Sequence, residues 1–394
     1  MEQMKFEQGD LQQEAPKRIK KRQPPRRRLR ALAVVAAAVL AVVAAFVLLD
    51  RTAFDGLRRS IAYMQAEKDE SGCARLFQYS SDGSSRYADL NGSLLVASAN
   101  EITLLDDKGN AAYHTALQFS QVALSAADGQ AAVYEIGGRT LYLLNSRGLV
   151  QQMDLEGDIF AVQMGQGGRF AVTLKKTGYK TTVSVYNGKG EPLYDFNSAQ
   201  SYLLTAAVSE NGKYMAAAAM SQDNGSFVSS LQIYKLTSEA MAAEGTLEGG
   251  VYEMGTVGGR FCAATDKALY FVKTDGTVTS YDYQGASLSR CGLGADKFAA
   301  VLLENYASGG QTHLAIVNAA GEEISSMAVD SEVLDLSAAG RYLAVLYSNK
   351  LVIYDQKLRE CAVLEDVSSA RRVLMRSDGS AVLAGTNAAS LYLP

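Results

Sequence analysis

From residue 87 onward, short apolar runs and turn-forming residues alternate in two interleaved series. In the first, a tight turn precedes an apolar strand: NGSLLVAS, DGQAAVYE, GGRFAVTL, NGKYMAAA, GGRFCAAT, ADKFAAVL, AGRYLAVL and DGSAVLAG. The turn position falls at Gly92, Gly129, Gly168, Gly212, Gly259, Asp296, Gly340 and Gly379, at intervals of 37 to 47 residues. Glycine reaches the positive φ of a tight hairpin without steric cost, and Asp296 tolerates that region better than most residues. The second series opens at Ile102, Leu141, Val183, Leu231, Leu269, Leu314, Leu351 and Leu391, in runs such as LYLLN, LQIYK and LVIYD. Further turns follow these runs, for example DKG at 107–109 and TDG at 274–276, and then a more polar strand.

Each unit of about forty residues thus holds four short strands, the size of a propeller blade. The chain is read as all-β, an eight-bladed β-propeller over residues 71–394, with seven blades as the alternative. The last unit, 368–394, supplies only three strands. Residues 73–79 (CARLFQY) suit the missing outer place, and joining first and last strands in one blade removes exposed edges. Alanine runs at 216–219, 263–264 and 299–300 read as packing where blades approach each other.

The first seventy residues have a different character. Residues 31–49, ALAVVAAAVLAVVAAFVLL, contain no polar side chain. At about 1.5 Å per residue they make a helix close to the hydrocarbon thickness of a bilayer. Nine Lys or Arg lie at 17–30, against Arg51, Arg58 and Arg59 just after the span. The positive-inside rule then places the N-terminus in the cytoplasm and the propeller outside. A cleaved signal peptide would have a shorter apolar stretch, so a signal-anchor helix touching the lipid bilayer is expected. Residues 1–30 read as a disordered basic tail, and 50–70 as a helical stem with Phe54, Leu57, Ile61 and Met64 at helical spacing.

Composition narrows the chemistry. Net charge is −4, which gives no nucleic-acid signature. The two histidines, His114 and His313, fall in strands without an evident catalytic or metal-binding partner. The four cysteines, Cys73, Cys262, Cys291 and Cys361, form no CxxC pair and read as strand residues. Acidic turn residues such as Asp128 and Asp378 lack calcium-loop spacing. No cofactor, metal or catalytic residue is expected.

One asymmetry points to a surface. The connections between second and third strands are longer in blades three, four and six: KKTGYKTT (175–182), SQDNGSFVSS (221–230) and ENYASGGQT (304–312). Loops on a rigid scaffold are where binding residues concentrate. Lys175, Lys176, Tyr179, Lys180, Asp223, Asn224, Phe227, Asn305 and Tyr306 form the candidate recognition rim. Replacing Tyr179, Phe227 and Tyr306 together is expected to abolish partner binding.

The order of tail, anchor, stem and eight units, with repeats such as SAAGRYLAVLYSNKLVIYD (337–355), resembles a family of Gram-positive membrane proteins, domain-of-unknown-function family 5711. The resemblance implies a membrane-anchored β-propeller at the cell surface and transfers no site residues. Two other propeller groups carry Trp-bearing motifs, and this chain has no tryptophan. The leading expectation is a non-enzymatic module that binds or scaffolds an envelope protein or polymer. The rival is a hydrolase or lyase of envelope glycans with carboxylates around the channel. Several strand-borne acids converging with raised pKa would favour the enzyme, and a dry, apolar or plugged channel the binding module.

Overall fold

The computed structural model describes Tyr63, residues 68–70 and residues 72–394, apart from residues 224 and 306–309. The expected tail, the membrane span and most of the stem lie outside the described residues. Residues 68–70 do not end a helix. Lys68 bridges to Ala74, and the Gly72 amide donates to the Asp69 carbonyl at 3.1 Å, so the chain reverses there into its first strand.

Among the described residues, the strands form eight antiparallel sheets of four. Blade 1 runs Arg86–Leu90, Ser93–Ala97, Glu101–Leu105, Ala111–Ala116. The next six blades repeat this meander, from inner to outer strand. Blade 8 takes Arg372–Met375, Ala381–Ala384 and Ala388–Tyr392 from the end of the chain and Cys73–Gln78 from its beginning. Cys73 pairs with Tyr392 and Gln78 with Ala388. The Tyr79 hydroxyl, 2.9 Å from both the Gly385 and the Ala388 carbonyl, anchors the end of that strand.

Burial explains the sequence pattern. Second and third strands lie between two neighbouring sheets, so both faces are apolar. Tyr342–Tyr347 and Ala268–Val272 are buried throughout. Outer strands meet solvent and alternate, as in Pro192–Ser198. Each blade-to-blade interface holds its own hydrophobic cluster, and the eighth closes the ring: Leu94, Val96 and Leu105 of blade 1 pack on Val382, Leu391 and Phe77 of blade 8. Phe77, Phe170, Phe261, Phe271 and Phe298 are almost wholly buried, each worth roughly 1.5–3 kcal/mol in removed apolar surface. The alanines 216–219 are buried in the second strand of blade 4, where bulk would force the blades apart.

Seven of the eight turn positions adopt positive φ, from 57° at Gly340 to 102° at Gly92. Asp296 does not, which corrects the expectation of a tight hairpin there. The connection of blade 6, residues 293–297, is as long as those of blades 3, 4 and 8, but in it Asp296 uses its backbone to link three blades. Its amide donates to the Gly340 carbonyl at 3.0 Å, and its carbonyl accepts from the Gly258 amide at 3.1 Å.

Candidate functional site

The register of the blades sorts the residues onto two ends of the channel. The first residues of an inner strand lie beside the last residues of its second strand: Asp158 beside Lys175, Tyr202 beside Met220, Val251 beside Thr265. This end therefore carries the second-to-third connections. The opposite end carries the glycine turns.

At the first end the inner strands share an irregularity. Pairing skips one residue in blades 3 to 7: Phe160, Leu204, Tyr252, Ser289 and Leu334. A bulge inserts an extra residue and re-aims its side chain. Phe160 and Tyr252 are thereby turned outward. Tyr202 opens the inner strand of blade 4, Ile136 follows the second strand of blade 2, Tyr179 belongs to the second-to-third connection of blade 3, and Phe227 is near the start of the third strand of blade 4. These six side chains are between 41% and 70% exposed, and all lie at the same end of blades 2 to 5. Aromatic side chains offer large, rigid contact area and are enriched where proteins bind one another.

Charged groups secure this rim. The Lys180 ammonium stands 5.0 Å from the centre of the Tyr202 ring and donates to the Gln200 carbonyl at 2.7 Å, tying blade 3 to blade 4. Lys176 pairs with Glu156, and Arg139 with Asp158 at 2.9 Å.

The expected rim residues fare differently. Tyr179, Lys180 and Phe227 join the aromatic face, and Lys175 is exposed beside Asp158 in register. Lys176 is engaged by Glu156. Asp223 ends the second strand of blade 4 opposite Ser226. Asn305 ends that of blade 6 opposite Gln311, separated from the others by blade 5. Asn224 and Tyr306 lie outside the described residues. The segment 221–230 is the end of an extended hairpin rather than a loop. Tyr214–Asp223 and Ser226–Lys235 pair along their whole length as one ten-residue ribbon. Gly225, in the turn between the two strands, has a φ of 84°. Sequence reasoning missed Ile136, Phe160, Tyr202 and Tyr252. The available signal was an apolar ring at the opening of an otherwise small-residue inner strand, as in YLLTAAV and VYEMGTV.

Below the rim lies a cavity of ≈ 320 Å³, lined among others by Tyr134, Leu204, Tyr252, Glu253 and Met254. Glu253 also lines the larger cavity of ≈ 1080 Å³ that opens at the glycine-turn end. Water reaches the Glu253 side chain, yet protein encloses it, and this enclosure lifts its carboxyl toward about 7. No hydrogen bond or ion pair to a described residue engages that carboxyl.

The larger cavity has a mixed lining, in which Asp89, Asp128, Glu210 and Glu253 stand beside Leu124, Val208 and Met254, so the apolar or plugged channel expected of a binding module is not met. Its acids are nevertheless held by the fold. Asp128 accepts from the Gly167 amide of blade 3 at 3.0 Å, and Glu210 from the Gly259 amide of blade 5 at 2.8 Å. Asp89 accepts from Arg376, and Asp378 accepts from Ser380. They stitch one blade to the next, or one turn to itself. Among the described residues no three His, Cys, Asp or Glu gather as a metal site. His114, on the outer strand of blade 1, faces Thr103 at 3.1 Å, whereas Glu253 is on the inner strand of blade 5.

Residues 70–362 match the model of a family of unknown function, DUF5711. The chain belongs to that family. No curated protein matches it. The DUF5711 propeller is similar in structure to BamB from Moraxella catarrhalis, at 12% identity and a TM-score of 0.51, covering 81% of this chain and 98% of that one. It is similar to Sqt1 of Saccharomyces cerevisiae, at 11% identity and a TM-score of 0.52, over 80% and 98% of the two chains. The C-terminal WD40 domain of Sif2 matches at 12% identity and a TM-score of 0.51, over 80% and 95%. At these identities the likeness is one of fold.

Proposed function

We propose that this DUF5711 protein is a membrane-anchored, extracytoplasmic and non-enzymatic module that binds a protein partner at the cell envelope. The observation that carries the binding role is the gathering of Ile136, Phe160, Tyr179, Tyr202, Phe227 and Tyr252, all exposed, at one end of blades 2 to 5. A soluble surface seldom leaves such a group open without a use for it. The structural likeness to WD40 and BamB propellers is consistent with this reading. The anchor rests on the apolar run 31–49 and the basic residues before it. The enzymatic alternative is not favoured, because Glu253 stands in the channel beside acids that hold blades together, Asp128, Glu210 and Asp89, and not beside a second carboxyl raised like its own.

Two experiments test it. Photo-crosslinking from Phe227 in intact cells should capture a discrete protein, and Tyr179→Ser with Tyr202→Ser should abolish the adduct. An unchanged adduct pattern would discard the rim. Cys361 is exposed on an outer strand, so a membrane-impermeant maleimide should label it in whole cells. Labelling only after lysis would overturn the topology.

A further inference from the structure

The rim and the carboxylate beneath it adjoin in blade 5. Tyr252 and Glu253 are successive residues of one inner strand, Val251–Val257. Pairing skips Tyr252, which sends its ring to the rim, 70% exposed, and regular pairing resumes at Glu253. Glu253 lines the cavity of ≈ 320 Å³ under that ring, together with Tyr134, Leu204 and Met254. The other channel acids whose contacts have been described are bonded to turn amides, a serine or Arg376; Glu253 has no such partner among the described residues. The Glu253 side chain is reached by water yet lies among the walls of this cavity, where a cation or donor entering beside it makes a charge-assisted hydrogen bond. The cavity is also lined by Tyr134, Tyr252, Leu204 and Met254, aromatic and apolar groups suited to a cation and its alkyl stem.

We infer that the rim takes a protein segment in which one Lys or Arg stands between apolar residues. The apolar residues lie on Phe160, Tyr202 and Tyr252, and the cationic side chain enters the upper cavity to meet Glu253. Glu253 is the one carboxylate lining that cavity, so a single cation is matched there rather than a basic tract. This deepens the proposed binding role and rests on it.

The test uses the full-length protein in detergent micelles and nine-residue fluorescent peptides of alternating Leu and Tyr. Their central residue is Lys, Arg, Gln, Glu or norleucine. Fluorescence polarisation should show the Lys and Arg peptides binding about tenfold tighter than the norleucine peptide, as a charged hydrogen bond made in an enclosed site predicts. Glu253→Gln should erase that preference while leaving norleucine binding unchanged. Tyr252→Ser should weaken every peptide. Equal binding of Lys and norleucine peptides, a preference that survives in Glu253→Gln, or binding of none would overturn the inference. Peptide binding that depends on Tyr202 and Tyr252 but shows no preference for a cation sinks this inference alone. Binding indifferent to every rim substitution sinks the rim as well.

Discussion

The Nε of Arg376, in blade 8, donates to Oδ1 of Asp89, in blade 1, at 2.8 Å across the seam where the ring closes. Both side chains are largely buried, at 8% and 15% exposure. Arg376 also donates from Nη1 to the Tyr63 hydroxyl at 3.2 Å, so the segment ahead of the first strand is fastened at the same place. Removing one member of a buried pair leaves the other charge without compensation. Asp89→Ala is therefore expected to lower unfolding free energy by about 3–5 kcal/mol in urea titration. Asp89→Leu with Arg376→Met should recover much of that loss. A single substitution that leaves the midpoint unmoved would contradict the assignment.

The closing strand has its own test. Phe77 is 1% exposed and packs between blades 8 and 1, whereas its neighbour Leu76 is 61% exposed. Phe77→Ala should cost about 3–5 kcal/mol, the usual range for emptying such a site. Leu76→Ser should change stability by less than about 0.5 kcal/mol, as exposed substitutions do. Hydrogen exchange should show Ala388–Tyr392, the strand beside it, losing protection first in Phe77→Ala.

Glu253 makes stability depend on pH in a definite direction. Enclosure raises its carboxyl from the usual 4.5 to about 7. The folded chain therefore holds this proton more tightly than the unfolded chain. The associated stability is complete below about 4.5 and is lost as pH rises through about 7. Channel water moderates the size of the effect. Glu253→Gln lacks the titration, so its stability relative to the parent should rise between pH 5 and pH 8. Parallel urea midpoints across that range would refute it.

The cysteines should separate by reactivity. Burial pushes the Cys262 thiol well above its usual value, and the Glu253 charge adds to this; Cys361 is exposed. Thiolate is the reactive species. Iodoacetamide at pH 7.5 should modify Cys361 in the native protein and reach Cys262 only after denaturation, as read by peptide mass. Rapid native alkylation of Cys262 would show that the interface between blades 5 and 6 opens.

How far the sequence could be read follows from what each feature depends on. The blade pattern was legible because second and third strands are buried on both faces and are bounded by turns needing positive φ. Both properties are written locally, as at Gly340 followed by Tyr342–Tyr347. Asp296 misled because its role is backbone bonding to two other blades, which no local property encodes. The site was half legible. Tyr179 and Phe227 stood out in conspicuous segments. Phe160 and Tyr252 did not, since their exposure comes from a register skip relative to the second strand. The Glu253 cavity exists only because Leu124, Val162, Leu204 and Tyr252, from four blades, converge around it.

The placement of Cys73–Gln78 beside Ala388–Tyr392 has a consequence for biosynthesis. The ribosome makes this strand before any other in the ring, yet the strand it pairs with in the blade arrives more than 300 residues later. Seven blades can be complete while that ribbon edge still waits, open to capture by another chain. Assembly is then a race between synthesis of the last unit and mispairing of the earliest one. A chain truncated before Ala388 should be recovered as aggregate rather than as a smaller ring.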